Sequence, residues 1–176
     1  MNILDELQNN IGYHFSNLDL LERALTHRSV GKDNYERMEF LGDSILNCLV
    51  SMILFHQKSD SQEGALSITR SRLVNKRLLS KIGQSWSIDP YIKKSGQQKI
   101  SQAIRADVVE AVIAGIYLDS SLKICYGFAQ NLFLPYLEAL GTKDLKDYKS
   151  RLQEWAHRKK YALPKYAIEK TSGKAP

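Results

Sequence analysis

Residues 36–46 read Glu36-Arg37-Met38-Glu39-Phe40-Leu41-Gly42-Asp43-Ser44-Ile45-Leu46. Apolar residues recur here at helical spacing and continue through Cys48, Leu49, Met52 and Ile53 to about Gln57, predicting one long helix. Three acids lie inside it. At about 3.6 residues per turn Glu36, Glu39 and Asp43 share a face, and Glu39 stands one turn, roughly 6 Å, from Asp43. Like charges at that spacing repel. Phe40, Leu41, Ile45 and Leu46 favour burial and draw the acids toward poorly hydrated ground, where an ionised carboxylate needs a cationic partner. Gly42 costs a helix interior roughly 1 kcal/mol against alanine. Its presence there predicts that another backbone or a ligand comes close.

Residues 106–118, Ala-Asp-Val-Val-Glu-Ala-Val-Ile-Ala-Gly-Ile-Tyr-Leu, are apolar nearly all round, the mark of a helix buried in a core. The charges within the stretch are Asp107 and Glu110, neighbours at i, i+3, with Arg105 just before them. Two acids on a buried helix call for a divalent cation or for a partner from elsewhere in the chain. Four or five carboxylates from two helices, with no cysteine and no well-placed histidine, favour a hard ion such as Mg²⁺ or Mn²⁺. Mg²⁺ keeps open positions for water and phosphate, the layout of metal-assisted phosphodiester hydrolysis. His14, His27, His56 and His157 are scattered and form no nucleophile–base pattern, which disfavours a metal-free, histidine-driven route.

The chain has 176 residues and a formal charge of +6. Residues 1–140 hold 15 basic and 15 acidic side chains, whereas residues 141–176 hold 10 and 4 and supply the entire excess. A neutral body with a basic tail suggests a polyanion-binding appendage. Within the body, residues 64–88 carry Arg70, Arg72, Lys76, Arg77 and Lys81 and no acid, a stretch able to lie along a phosphate backbone. No apolar run reaches 18 residues and the first six residues lack signal-peptide regions, so no membrane span and a cytoplasmic location are expected. Cys48 and Cys125 read as reduced core thiols.

Short helices are expected over residues 3–10 and from Ser16 or Asn17 to about Thr26, with Asn34 capping the long acidic helix. A further helical region runs from Ser61 to about Ile82, with Gly83 as its stop. Residues 84–100 read mainly as loop. Helices over about 101–118 and 121–139 follow, then the linker Gly141-Thr142-Lys143-Asp144, a basic helix over 147–160 and a strand at Tyr166-Ala167-Ile168-Glu169.

The run Glu36–Ser44 resembles the signature of the ribonuclease III family, and Ala106-Asp107-Val108-Val109-Glu110-Ala111 resembles that family's second acidic motif at a matching separation. Ile11-Gly12-Tyr13-His14-Phe15 and Ala24-Leu25-Thr26-His27-Arg28-Ser29 look like its opening helices. Ser150-Arg151-Leu152-Gln153-Glu154 is similar to the first helix of a double-stranded-RNA-binding domain. The resemblance implies an all-α catalytic domain over 1–140, a linker over 141–147 and an incomplete α/β RNA-binding segment over 148–176. That domain normally continues with two more strands and a second, lysine-bearing helix, so loose order and weakened RNA affinity are expected of the segment.

Carried over residue by residue, the resemblance implies a Mg²⁺ site, with Mn²⁺ as a substitute, made by Glu39, Asp43, Asp107 and Glu110. Asp43 and Glu110 match the essential catalytic acids, and Glu36 and Glu63 match further acids that handle RNA. Arg70, Arg72, Lys76, Arg77, Gln153 and Glu154 are candidate RNA contacts. Phe40 matches an aromatic residue inserted into the partner subunit of a homodimer. The activity implied is Mg²⁺-dependent hydrolysis of double-stranded RNA to 5′-phosphate and 3′-hydroxyl ends, in processing ribosomal RNA and other structured transcripts, with no small-molecule cofactor. A non-catalytic double-stranded-RNA-binding protein on the same fold is the alternative. A hydrolase of small phosphate esters fits the arginine-rich stretch and basic tail poorly.

Overall fold

A computed structural model describes residues 3–97, 99–140, 148–162 and 164, with backbone alone for 148–151 and 154. All regular structure among them is helical: α1 (Asp5–Ile11), α2 (Leu18–Ala24), α3 (Glu36–Gln57), α4 (Glu63–Leu73), α5 (Lys76–Ser85), a 3₁₀ turn at Asp89–Tyr91, α6 (Gln102–Asp119), α7 (Leu122–Leu140) and α8 (Tyr148–Arg158). The chain divides into two units, Met1–Lys143 and Asp144–Pro176. The strand expected at 166–169 and the linker at 141–147 lie outside the described residues.

The first unit is organised around α6. Val108, Val109, Ala111, Val112, Ile113, Ala114 and Ile116 are fully buried all around its axis, as an all-round apolar helix demands. It packs chiefly on α3 and α5. Ser101 starts it by accepting the Ile104 N–H on its hydroxyl at 3.1 Å.

α3 presents Leu46, Leu49, Val50 and Ile53 to the core with no exposure. It is also long and apolar enough, by length and composition, to cross a membrane, but its apolar residues are partly spent on this packing. Asn34 accepts the Glu36 N–H at 2.9 Å, so it satisfies the start of α3 although Tyr35 holds the cap position.

Four details depart from the sequence reading. The helical region from Ser61 is two helices, because Asn75 accepts the Leu78 N–H at 2.9 Å and restarts the chain as α5. Gly83 does not stop that helix. It lies buried inside α5, where a Cβ would meet Arg105 Cγ at 2.6 Å. Residues 25–29 are not helical. α2 ends at Ala24, and the next residues pair with the segment around Lys93 through a parallel Thr26–Lys93 bridge. Cys48 is exposed on α3 and not a core thiol, whereas Cys125 is buried and its thiol is pushed up to about 11 by that burial.

In the second unit α8 buries Ala156, and Trp155 packs against Tyr161 with ring centroids 5.5 Å apart.

Candidate metal centre

The acids of the two motifs meet where α3 crosses α6. Gly42 makes the crossing possible. A Cβ built there would fall 1.9 Å from the backbone oxygen of Glu110, far inside van der Waals contact, so the helices touch backbone to backbone at this point. The same approach brings together Glu39, one turn before, with Asp107 and Glu110. Each of the three offers a carboxylate oxygen, and these oxygens lie within 4.8 Å of one another. That separation suits hard oxygen donors around one small divalent ion.

The electrostatics agree with that reading. Burial, and then the charges of Asp43, Asp107 and Glu39, push the Glu110 carboxyl up to about 7. Burial and the neighbouring Asp107 raise Glu39 as well. The cation expected opposite this face is present in the protein itself. Lys76, the first residue of α5, reaches across to donate to Asp107 Oδ1 at 2.9 Å. That hydrogen bond raises the lysine pKa, and Glu110 and Glu39 also act on it. Lys76 is thus an ion-pair partner of the acids, a role its place in a basic run did not reveal.

The remaining candidates are distributed differently. Asp43 is exposed, and its Oδ1 accepts from Asn47 Nδ2 at 3.0 Å. It stands outside the group of three while still acting on Glu110. Glu36 pairs with Arg28 at 3.5 Å. Glu63, at the start of α4, accepts from Ser67 at 2.7 Å and faces a separate pocket with Ser51 and Arg70. Arg70 is tied to Ser51 Oγ at 3.0 Å. Arg72 and Arg77 are exposed on the α4–α5 edge. Gln153 is half-buried on α8, and the side chain of Glu154 lies outside the described residues. Phe40 is 78% exposed and lines a 630 Å³ groove together with Met38, Leu41 and Leu118. Exposed Met52 and Phe55 extend an apolar surface along α3.

A family profile described as Ribonuclease-III-like matches residues 17–137. The chain is 39% identical to Ribonuclease 3 of Hahella chejuensis, over 98% of its own length and 79% of that protein. A solved nuclease domain of ribonuclease III from Campylobacter jejuni, described for structural flexibility in its region involved in dimer formation, superposes with a TM-score of 0.70. It is 33% identical and covers 75% of this chain and 99% of that one. Dicer from Pichia stipitis superposes with a TM-score of 0.63 at 27% identity, over 82% of this chain and 68% of that one. On the extent of these matches, the chain belongs to the ribonuclease III family.

Proposed function

We infer that this protein is an endoribonuclease that hydrolyses phosphodiester bonds in double-stranded RNA. The observation that carries the reading is the meeting of Glu39, Asp107 and Glu110 at the Gly42 crossing. These three, joined by Asp43 from the next turn of α3, would hold Mg²⁺, with Mn²⁺ able to replace it. All the donors are carboxylate oxygens, which fits such an ion. When bound, the ion supplies Lewis-acid activation of water and neutralises charge on the phosphoryl group.

The protein's own part is positioning. Glu110 and Asp43 are the catalytic acids, and Glu110 sits on the buried α6, packed between α3 and α5. Lys76 holds Asp107 in place until substrate and metal compete for it. Arg72, Arg77 and Lys76 line an edge suited to RNA phosphates, with Arg70 contributing mainly to the scaffold. Glu36 and Glu63 have subsidiary roles with RNA. The products are 5′-phosphate and 3′-hydroxyl ends, and the substrates are ribosomal RNA precursors and other structured transcripts in the cytoplasm.

The working unit is a homodimer, for which exposed Phe40 and the apolar surface along α3 provide contact. Residues 1–140 form the catalytic domain. Residues 148–176, after a linker, form part of a double-stranded-RNA-binding domain that uses Gln153 and Glu154.

The test is incubation with long duplex RNA, single-stranded RNA and nucleotides, in Mg²⁺ or in chelator. Duplex-only, Mg²⁺-dependent cutting is expected, and Glu110→Gln abolishes it while dimerisation persists. Undiminished turnover by that variant contradicts the assignment, and tight duplex binding without cutting favours a non-catalytic RNA-binding protein.

A further inference from the structure

Beside the acid group lies a second polar space of about 350 Å³. It shares Glu39 and Asp107 with the candidate metal centre. Its other walls include His27, Arg28, Glu36 and Ser101. At about 30 Å³ per water it has room for roughly ten waters, more than one ion and its shell require and enough for a sugar.

His27 is the telling residue. It is only 5% exposed. Ser29 donates its backbone N–H to His27 Nδ1 at 3.1 Å. The Ser29 hydroxyl lies 2.8 Å from the same nitrogen, while accepting the Ser95 N–H at 3.0 Å, so its own hydrogen is directed to the ring. Nδ1 is therefore an acceptor, and Nε2 carries the hydrogen. Nε2 has no hydrogen-bond partner among the described residues, and His27 is one of the residues that line the pocket.

The ring is fixed in advance. The His27 N–H donates to Lys93 O at 2.9 Å, the Tyr35 N–H donates to Thr26 O at 2.9 Å, and Tyr35 packs edge-on with centroids 5.7 Å apart. An oriented donor on an otherwise buried ring, with its Nε2 left accessible beside a polar cavity, is what a specific ligand contact requires.

The lining bears both signs. His27 and Arg28 donate, whereas Glu36, Glu39 and Asp107 accept. Three carboxylates against one guanidinium repel a bare phosphate. A hydroxyl, which both donates and accepts, suits the mixture.

We infer that this pocket receives the ribose of a nucleotide flanking the scissile phosphate, with His27 Nε2–H donating to the 2′-oxygen and the Glu36 carboxylate accepting the 2′-hydroxyl hydrogen. The inference rests on the duplex-RNA endonuclease reading and deepens it. It makes His27 and Glu36 the residues that distinguish RNA from DNA at the cut, since the 2′-hydroxyl is the group that differs.

The experiment uses duplex RNAs of one sequence that carry a single 2′-deoxy nucleotide at each position next to the mapped cut. The wild type is expected to lose roughly tenfold in kcat/KM at one of those positions, because the positioned Nε2–H donor, closed off from water by the bound duplex, is left without its partner. In His27→Phe and Glu36→Ala the ribose-to-deoxyribose ratio at that position falls toward one. Glu36 is half exposed, so Glu36→Ala answers the question alone if His27→Phe does not fold. A ratio unchanged in Glu36→Ala, or a wild type that cuts all-ribose duplex but ignores every deoxy site, overturns this inference and leaves the nuclease reading intact. A wild type that cuts no duplex RNA overturns both.

Discussion

The N-terminal half of α6 has two flanks, and each carries an ion pair with α5 or the turn after it. Toward that turn, Arg105 grips both carboxylate oxygens of Asp89 and also donates to Ser80 Oγ at 3.0 Å. Its side chain is 10% exposed. Two residues on, Asp107 takes a single contact from Lys76, whose side chain is 60% exposed. The first pair is bidentate, with a further bond from the guanidinium to Ser80, and serves as scaffold. The second leaves carboxylate oxygens turned toward Glu39 and Glu110, so the same chemistry of opposite charges becomes a site open to displacement. What separates them is whether the acid is satisfied by its own cation or gathered with others that repel it.

The largest effect is expected where the site flank meets α3. Gly42→Ala puts a methyl group into the Glu110 backbone and forces the helices apart, at a cost of about 3 kcal/mol or more by analogy with overpacked cores. Urea denaturation measures it, and the metal affinity should be lost with it. A variant of near wild-type stability would mean that the crossing is not a backbone contact. On the scaffold flank, Arg105→Met removes a buried guanidinium and its hydrogen bonds to Asp89 and Ser80, and should cost about 2 kcal/mol in the same measurement, since the half-exposed Asp89 left behind is solvated. Divalent-ion affinity per folded molecule should stay unchanged, which distinguishes scaffold from site.

A pH titration sharpens the contrast further. The Glu110 carboxyl, raised from 4.5 to about 7, holds a proton in the folded protein that the unfolded chain gives up. In chelator this contribution to stability is full below about pH 4.5. It declines as the pH rises and is gone above about 7, because the folded state binds more protons in that window. Mg²⁺ should flatten the decline, since it favours the ionised carboxylates.

The smallest stability effect belongs to Lys76→Met, about 1 kcal/mol, because the lysine is 60% exposed although Asp107 is only 15% exposed. Removing that competing charge should instead tighten Mn²⁺ binding about threefold to tenfold in calorimetry. Weaker binding would mean that Lys76 assists the metal and does not stand in for it.

The sequence disclosed the site flank far better than the scaffold flank. Glu39, Asp43, Asp107 and Glu110 were conspicuous because charge inside an apolar helical period has few innocent explanations, and Gly42 was conspicuous because a helix interior resists glycine. Their convergence is a tertiary fact, yet the close approach at Gly42 followed from local cost. Asp43 lies one turn beyond Glu39 and outside the group of three, with Asn47 at i+4 donating to its carboxylate while it still acts on Glu110.

Lys76 was legible as a base but not as the partner of Asp107, 31 positions away. Gly83 looked like a helix stop because glycine at a C-cap and glycine beneath a packed arginine read alike in sequence. No glycine or proline marks the break at Asn75, so the two helices read as one in the sequence. Residues 84–100 read as loop, yet Trp86, Ile88 and Ile92 are core residues. Their spacing belongs to an irregular segment with a single 3₁₀ turn and fits neither the helical nor the strand period.

The most direct trial of the convergence of α3 and α6 on one ion is anomalous X-ray diffraction from crystals grown or soaked in Mn²⁺. A manganese peak bounded by the carboxylates of Glu39, Asp107 and Glu110, with the Lys76 ammonium withdrawn from Asp107, is the predicted result. Manganese found only elsewhere, or Lys76 still seated on Asp107 in Mn²⁺ sufficient for full cleavage activity, would contradict it.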